Sequence, residues 1–167
     1  GNTLKDNKFA NLAGQIDIIV ANPPFSSDWT PEELKDDSRF SEYPKMAPKS
    51  VADFAFIQHM IYMLKEKGKC GVIIPHGVLF RGGAEGKIRT GFITDDLIEA
   101  VIGVPQNIFY GTGIPAAILV LNKAKAEERK GKILFIDGSN DFVKDGNKNK
   151  IRNEDIENIV KAFDAFE

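Results

Sequence analysis

The residues best equipped for chemistry are Asn22-Pro23-Pro24-Phe25. Two consecutive prolines fix φ and remove two backbone donors, so the Asn22 and Pro23 carbonyls are held outward as acceptors. The Asn22 amide adds one more acceptor and two donors, and Phe25 adds a flat apolar face. Such a device suits a planar group carrying an NH2: the ring stacks and the amine donates its hydrogens. Other chemistries find less support. His59 and His76 have no Cys, Asp or His at ligand spacing, which argues against a metal site. Gly82-Gly83-Ala84-Glu85-Gly86-Lys87 is one residue short of a phosphate loop, and Ile88 stands where a magnesium-binding Ser or Thr is needed. It reads as a turn into a helix, with Arg81, Lys87 and Arg89 placed to contact DNA or a subunit. No G-x-S-x-G nucleophile turn is present.

The elements that must hold this turn follow from periodicity. Residues 16–21, Ile-Asp-Ile-Ile-Val-Ala, form a β-branched apolar run that the prolines end, so the motif sits at the carboxyl end of a strand. Residues 26–49 carry Pro31, Pro44 and Pro48, a charged patch and three aromatics, Trp29, Phe40 and Tyr43. They read either as a surface excursion with a short helix near Pro31 or as a lid beside Phe25. Ser50-Val51-Ala52-Asp53 resembles a capping box, and Phe54, Ile57, Ile61 and Leu64 follow at helical spacing. Lys65 and Lys67 then fall in the helix's last turn and Gly68 stops it. Further strands are expected at 70–75, 97–104, 115–122 and 132–137, with a helix over 86–96. Asn153 is expected to cap a final helix with Ile156, Ile159, Val160 and Phe163 on one face. Residues 144–152, basic and rich in Asn, read as a solvated loop. Alternating strands and helices give an α/β fold with a mostly parallel sheet. Residues 105–114 are too short for a helical crossover, so the strands they join must be antiparallel, placing one antiparallel strand near the C-terminal end.

With 167 residues, 43% of them hydrophobic, the chain suffices for a single domain core. A net charge of −2 argues against gripping phosphates by bulk charge. A single cysteine, Cys70, excludes a disulfide framework and fits a reducing, cytoplasmic setting. No run is long and apolar enough to span a membrane.

The motif Asn22-Pro23-Pro24-Phe25 resembles the Asp/Asn/Ser-Pro-Pro-aromatic motif of S-adenosylmethionine-dependent amino-group methyltransferases. Residues 75–89, Pro75-His76-Gly77 through Lys87-Ile88-Arg89, are similar to the modification (M) subunit of type I restriction-modification systems. So are residues 107–115, Asn107-Ile108-Phe109-Tyr110 through Pro115. The resemblance runs from about Asp17 to the C-terminus. It implies a Rossmann-like methyltransferase fold, S-adenosyl-L-methionine as cofactor, and methyl transfer to the exocyclic N6 of an adenine flipped out of double-stranded DNA. It assigns the catalytic role to Asn22, Pro23, Pro24 and Phe25, with a second aromatic wall from Phe109 or Tyr110. It also implies a DNA-specificity subunit and a restriction nuclease subunit as partners.

Members of this family carry a glycine-rich cofactor turn ahead of the Asn-Pro-Pro motif, and residues 1–15 contain none. The chain therefore reads as one partial methyltransferase domain over 1–167. Its sheet core and target-base motif lie in 15–122, and 123–167 add a strand and a helix. Alone it is expected to be inactive, with the 16–21 strand left as an apolar edge that invites self-pairing. Two other functions stay open: methylation of a protein glutamine or another amide or amine, and a non-catalytic scaffold for specificity and nuclease subunits.

Overall fold

The structure, a computed structural model, describes residues 2–109 and 113–166. Strand β1, Ile16–Ala21, ends at the proline pair and runs parallel to β2, Leu64–Pro75, which also ends at a proline. Among the described residues the main sheet has five strands in the order β1-β2-β4-β3-β5, where β3 is Ile98–Gly103, β4 is Ala116–Asn122 and β5 is Leu134–Asp137. β4 alone runs against the others, antiparallel to both β2 and β3, as the short 105–114 link requires. It occupies the middle of the order, so the other four strands point the same way on either side of it.

Helix α1 is Asp53–Met63, and it passes into β2 with no residue between. The expected last turn with Lys65 and Lys67, and the stop at Gly68, are not formed. Leu64 is extended (φ −72°, ψ 139°) and 1% exposed. Pairing with β1 overrides the helix-end signals. Ile16 pairs with Leu64 but Ile18 pairs with Lys69, so extra β2 residues bulge out, and Lys65 meets Asp17 in an ion pair. Gly68 serves that bulge: a Cβ there would lie 2.9 Å from the Leu64 side chain and 3.0 Å from the Ile16 carbonyl. Phe54, Ile57 and Ile61 are buried along α1 as expected, whereas Leu64, the fourth residue of that spacing, is buried as the first residue of β2.

A four-residue helix α2, Gly77–Phe80, precedes α3, Gly83–Thr94, which starts and ends earlier than its expected span. α1 and α3 cover one face of the sheet, setting Phe54, Ile57, Ile88 and Phe92 against Val72, Ile74, Leu119 and Leu121. The 26–49 excursion is pinned into this layer. It contains a short 3-10 turn at Pro31–Leu34, Trp29 meets Phe40 edge-on at 5.1 Å, and Tyr43 meets Phe92 at 5.1 Å. The Tyr43 hydroxyl donates to Asp95 at 2.8 Å.

On the other face α4, Asn153–Ala165, lays Ile159 and Phe163 over Ala100, Ile102 and Leu134, whereas Ile156 and Val160 of the expected apolar face stay about half exposed. Asn153 is the first helical residue and not the cap. Arg152 holds that position, and its backbone N–H donates to Asp155 at 2.8 Å. The stretch expected as a solvated loop contains a hairpin, β6 (Val143–Asp145) with β7 (Lys148–Lys150). At the sheet's edge, Ile18 and Val20 of β1 point away from the α1–α3 layer and are 68% and 85% exposed.

Candidate functional site

The turn that follows β1 is fixed from below by one carboxylate. Ser26 adopts φ 47°, a left-handed conformation that a non-glycine residue holds only when its surroundings impose it. Asp53, at the start of α1 and 3% exposed, accepts the Ser26 N–H at 2.8 Å. Arg81 Nη2 donates to the same carboxylate at 2.6 Å and Arg81 Nε to Glu85 at 2.7 Å. Asp53 is thus no capping-box member: Ala52 is the cap residue, without a side-chain bond. The capping pattern is local, whereas the real partners lie 27 and 28 residues away. Arg89 donates to the Val78 and Arg81 carbonyls at 3.0 and 2.9 Å. Arg81 and Arg89 are therefore spent within the protein, and Lys87 is the exposed cation of that group.

Above this base the motif faces outward. Asn22 and Pro24 are exposed, Pro23 and Phe25 half-buried, and the Asn22 amide has no hydrogen-bond partner among the described residues. Phe25 meets Phe109 edge-to-face, with ring centroids 6.2 Å apart and planes at 85°. Residues 84 apart in sequence are thereby brought to one place, at a separation favoured by ring quadrupoles. Tyr110 lies outside the described residues. The Phe109 loop is held in turn by the hairpin: Lys148 Nζ donates to the Phe109 carbonyl at 2.6 Å.

Behind the prolines lies a cavity of about 290 Å3, lined by Asn22, Pro23 and Pro24 together with Thr3, Phe56 and His59. His59 Nδ1 lies 3.2 Å from Arg39 Nη1. A guanidinium can only donate, so Nδ1 accepts and the ring proton sits on Nε2. Burial, and then the Arg39 charge, push His59 down to about 4, so the imidazole is neutral at pH 7. Cys70 is buried with its Sγ 3.6 Å from the Met60 sulfur, and burial pushes the thiol up to about 12, which leaves it inert. No cluster of three or more metal-ligating side chains occurs among the described residues.

Residues 1–167 match the family described as N-6 DNA Methylase. The chain belongs to this family. It is similar to the type I restriction enzyme MjaVIII methylase subunit of Methanocaldococcus jannaschii. The two are 42% identical over 178 residues, covering 99% of this chain and 30% of that protein. It is 38% identical over 153 residues to the type I restriction enzyme MpnII methylase subunit of Mycoplasma pneumoniae, covering 90% of this chain and 28% of that protein. The crystal structure of a type I restriction-modification methyltransferase subunit from Streptococcus thermophilus superposes with a TM-score of 0.93 and 40% identity. That match covers 100% of this chain and 35% of the other. The chain thus spans about a third of the length of these relatives.

Proposed function

We propose that this chain provides the target-base side of an adenine-N6 DNA methyltransferase, within the modification subunit of a type I restriction-modification system. The observation that carries the reading is the meeting of Phe25 and Phe109 beside an unpartnered Asn22 amide. An adenine flipped out of the duplex stacks on Phe25, an interaction worth about 1–3 kcal/mol. Its N6 hydrogens are accepted by the Asn22 side-chain oxygen and the Pro23 carbonyl. The N6 lone pair is normally delocalised into the ring, and accepting both hydrogens favours a pyramidal nitrogen with that pair free. Positioning supplies this, with no strong base required. Neutral His59 forms part of the cavity behind the prolines and adds no charge to it.

S-adenosylmethionine is the methyl donor that the family implies. Among the described residues no strand leads directly into a glycine-rich turn, and the cavity behind Asn22 has no carboxylate in its lining to take a ribose diol. These residues do not by themselves fit the cofactor, and their chemistry is that of holding the amine. On this reading the partners are double-stranded DNA, a specificity subunit and a restriction nuclease subunit; the relatives' names support the coarser point, a methylase that is one subunit of a type I restriction enzyme.

The test is to express the complete gene product containing this sequence, with its specificity subunit, in a host lacking adenine methylation. Sequencing should reveal N6-methyladenine at one recognition sequence, and Asn22→Ala should abolish it while the subunits still co-purify. Labelled methyl groups on protein instead of DNA would indicate an amide methyltransferase. No transfer at all, with cofactor binding intact, would leave a scaffold.

A further inference from the structure

The β6–β7 hairpin makes three hydrogen bonds to the loop that carries Phe109. The Asn149 N–H donates to the Asn107 carbonyl at 3.1 Å, and Asn149 Nδ2 donates to the Gln106 carbonyl at 2.7 Å. Lys148 Nζ donates to the Phe109 carbonyl at 2.6 Å. The loop so held contains Asn107 at φ 58°, another left-handed non-glycine residue. Asn149 is 8% exposed, yet its Oδ1 is buried without a partner among the described residues. An unsatisfied buried acceptor is a net cost to folding. A side chain kept there for stability alone would be apolar.

We propose that the hairpin is a clasp that sets Phe109 opposite Phe25, and that Asn149 is its positioning residue. The inference rests on the reading of these two rings as the walls of the adenine site. The Phe109 ring comes from a loop between antiparallel strands, and the hairpin constrains that loop from about 40 residues away. The hydrogen bonds of Asn149 go to the backbone of residues 106 and 107, and it acts through them.

Asn149→Leu isolates the side chain. The backbone N–H of residue 149 stays, the unsatisfied oxygen goes, and water can take over the Gln106 carbonyl because that residue is exposed. The melting temperature should therefore hold or rise, while amide hydrogen exchange at Ile108 and Phe109 quickens. The functional readout uses a duplex with 2-aminopurine at the adenine mapped by sequencing. Its extrahelical emission on the complete, partnered protein should fall roughly tenfold in occupancy, with kcat falling alike, as expected when one stacking wall is displaced. Duplex affinity should stay within twofold of wild type. Wild-type emission and kcat in Asn149→Leu would overturn the clasp, as would a lower melting temperature with unchanged kcat. If the wild-type protein gives no emission, or Phe25→Ala keeps it, the adenine-site reading itself fails and takes the clasp with it.

Discussion

Lowering the pH from 7 to 5 should weaken the fold through one side chain. His59 is nine-tenths buried between the Arg39 guanidinium and the cavity behind Asn22, with Asp37 on the far side of Arg39. Its folded value near 4 lies well below the ordinary 6.5. The unfolded chain therefore binds a proton in this range that the folded chain refuses. Stability from this group is present in full above about 6.5 and declines as pH falls toward 4. A gap of that width gives about 2 kcal/mol between pH 7 and 5 for a fully shielded ring, and about 1–2 kcal/mol once solvent in the cavity is allowed for. Asp37, Asp96, Asp137 and Asp155 are likewise shifted down, below the usual carboxylate value, and their contributions fade only at more acid pH. Urea unfolding at half-unit steps from pH 7.5 to 4.5 would measure the slope. His59→Gln keeps an acceptor for Arg39 but cannot titrate, and its stability should be flat across that window. Equal slopes in the two proteins would show that burial and Arg39 do not govern this histidine.

Two further expectations concern the turn and the sheet edge. Asp53→Ala removes the carboxylate that holds Ser26 and Arg81 and should cost about 2–3 kcal/mol in urea unfolding, with Asp53→Asn costing less because one acceptor remains. Val20→Lys places a charge on the exposed face of β1 and should lower the apparent mass of the chain in light scattering at high concentration, without a change in circular dichroism.

The legible parts of this chain are those whose signals are local. The β-branched run and the two prolines specify both β1 and the exposed turn. A short link between two apolar runs was enough to make β4 antiparallel. The parts that escaped depend on partners distant in sequence. Leu64 leaves the helix because Ile16 pairs with it, and Gly68 looks like a helix stop only while that pairing is unknown. Asp53 matches a capping pattern within four residues, but its bonds go to Ser26 and Arg81. Lys148 and Asn149 look solvated because their acceptors are backbone carbonyls, which no side-chain pattern reveals. At the site itself, Asn22 to Phe25 announce themselves by type. That Phe109 faces Phe25 could be suspected only from family resemblance.

The direct joint between Met63 and Leu64 has a practical consequence. Helix and strand meet without slack, so displacement at one end of α1 is passed on instead of absorbed. The helix begins by gripping the turn after Phe25 and ends as the strand that pairs with both β1 and β4. A tag, a split point or an inserted reporter placed there would uncouple the motif from the sheet that aims it.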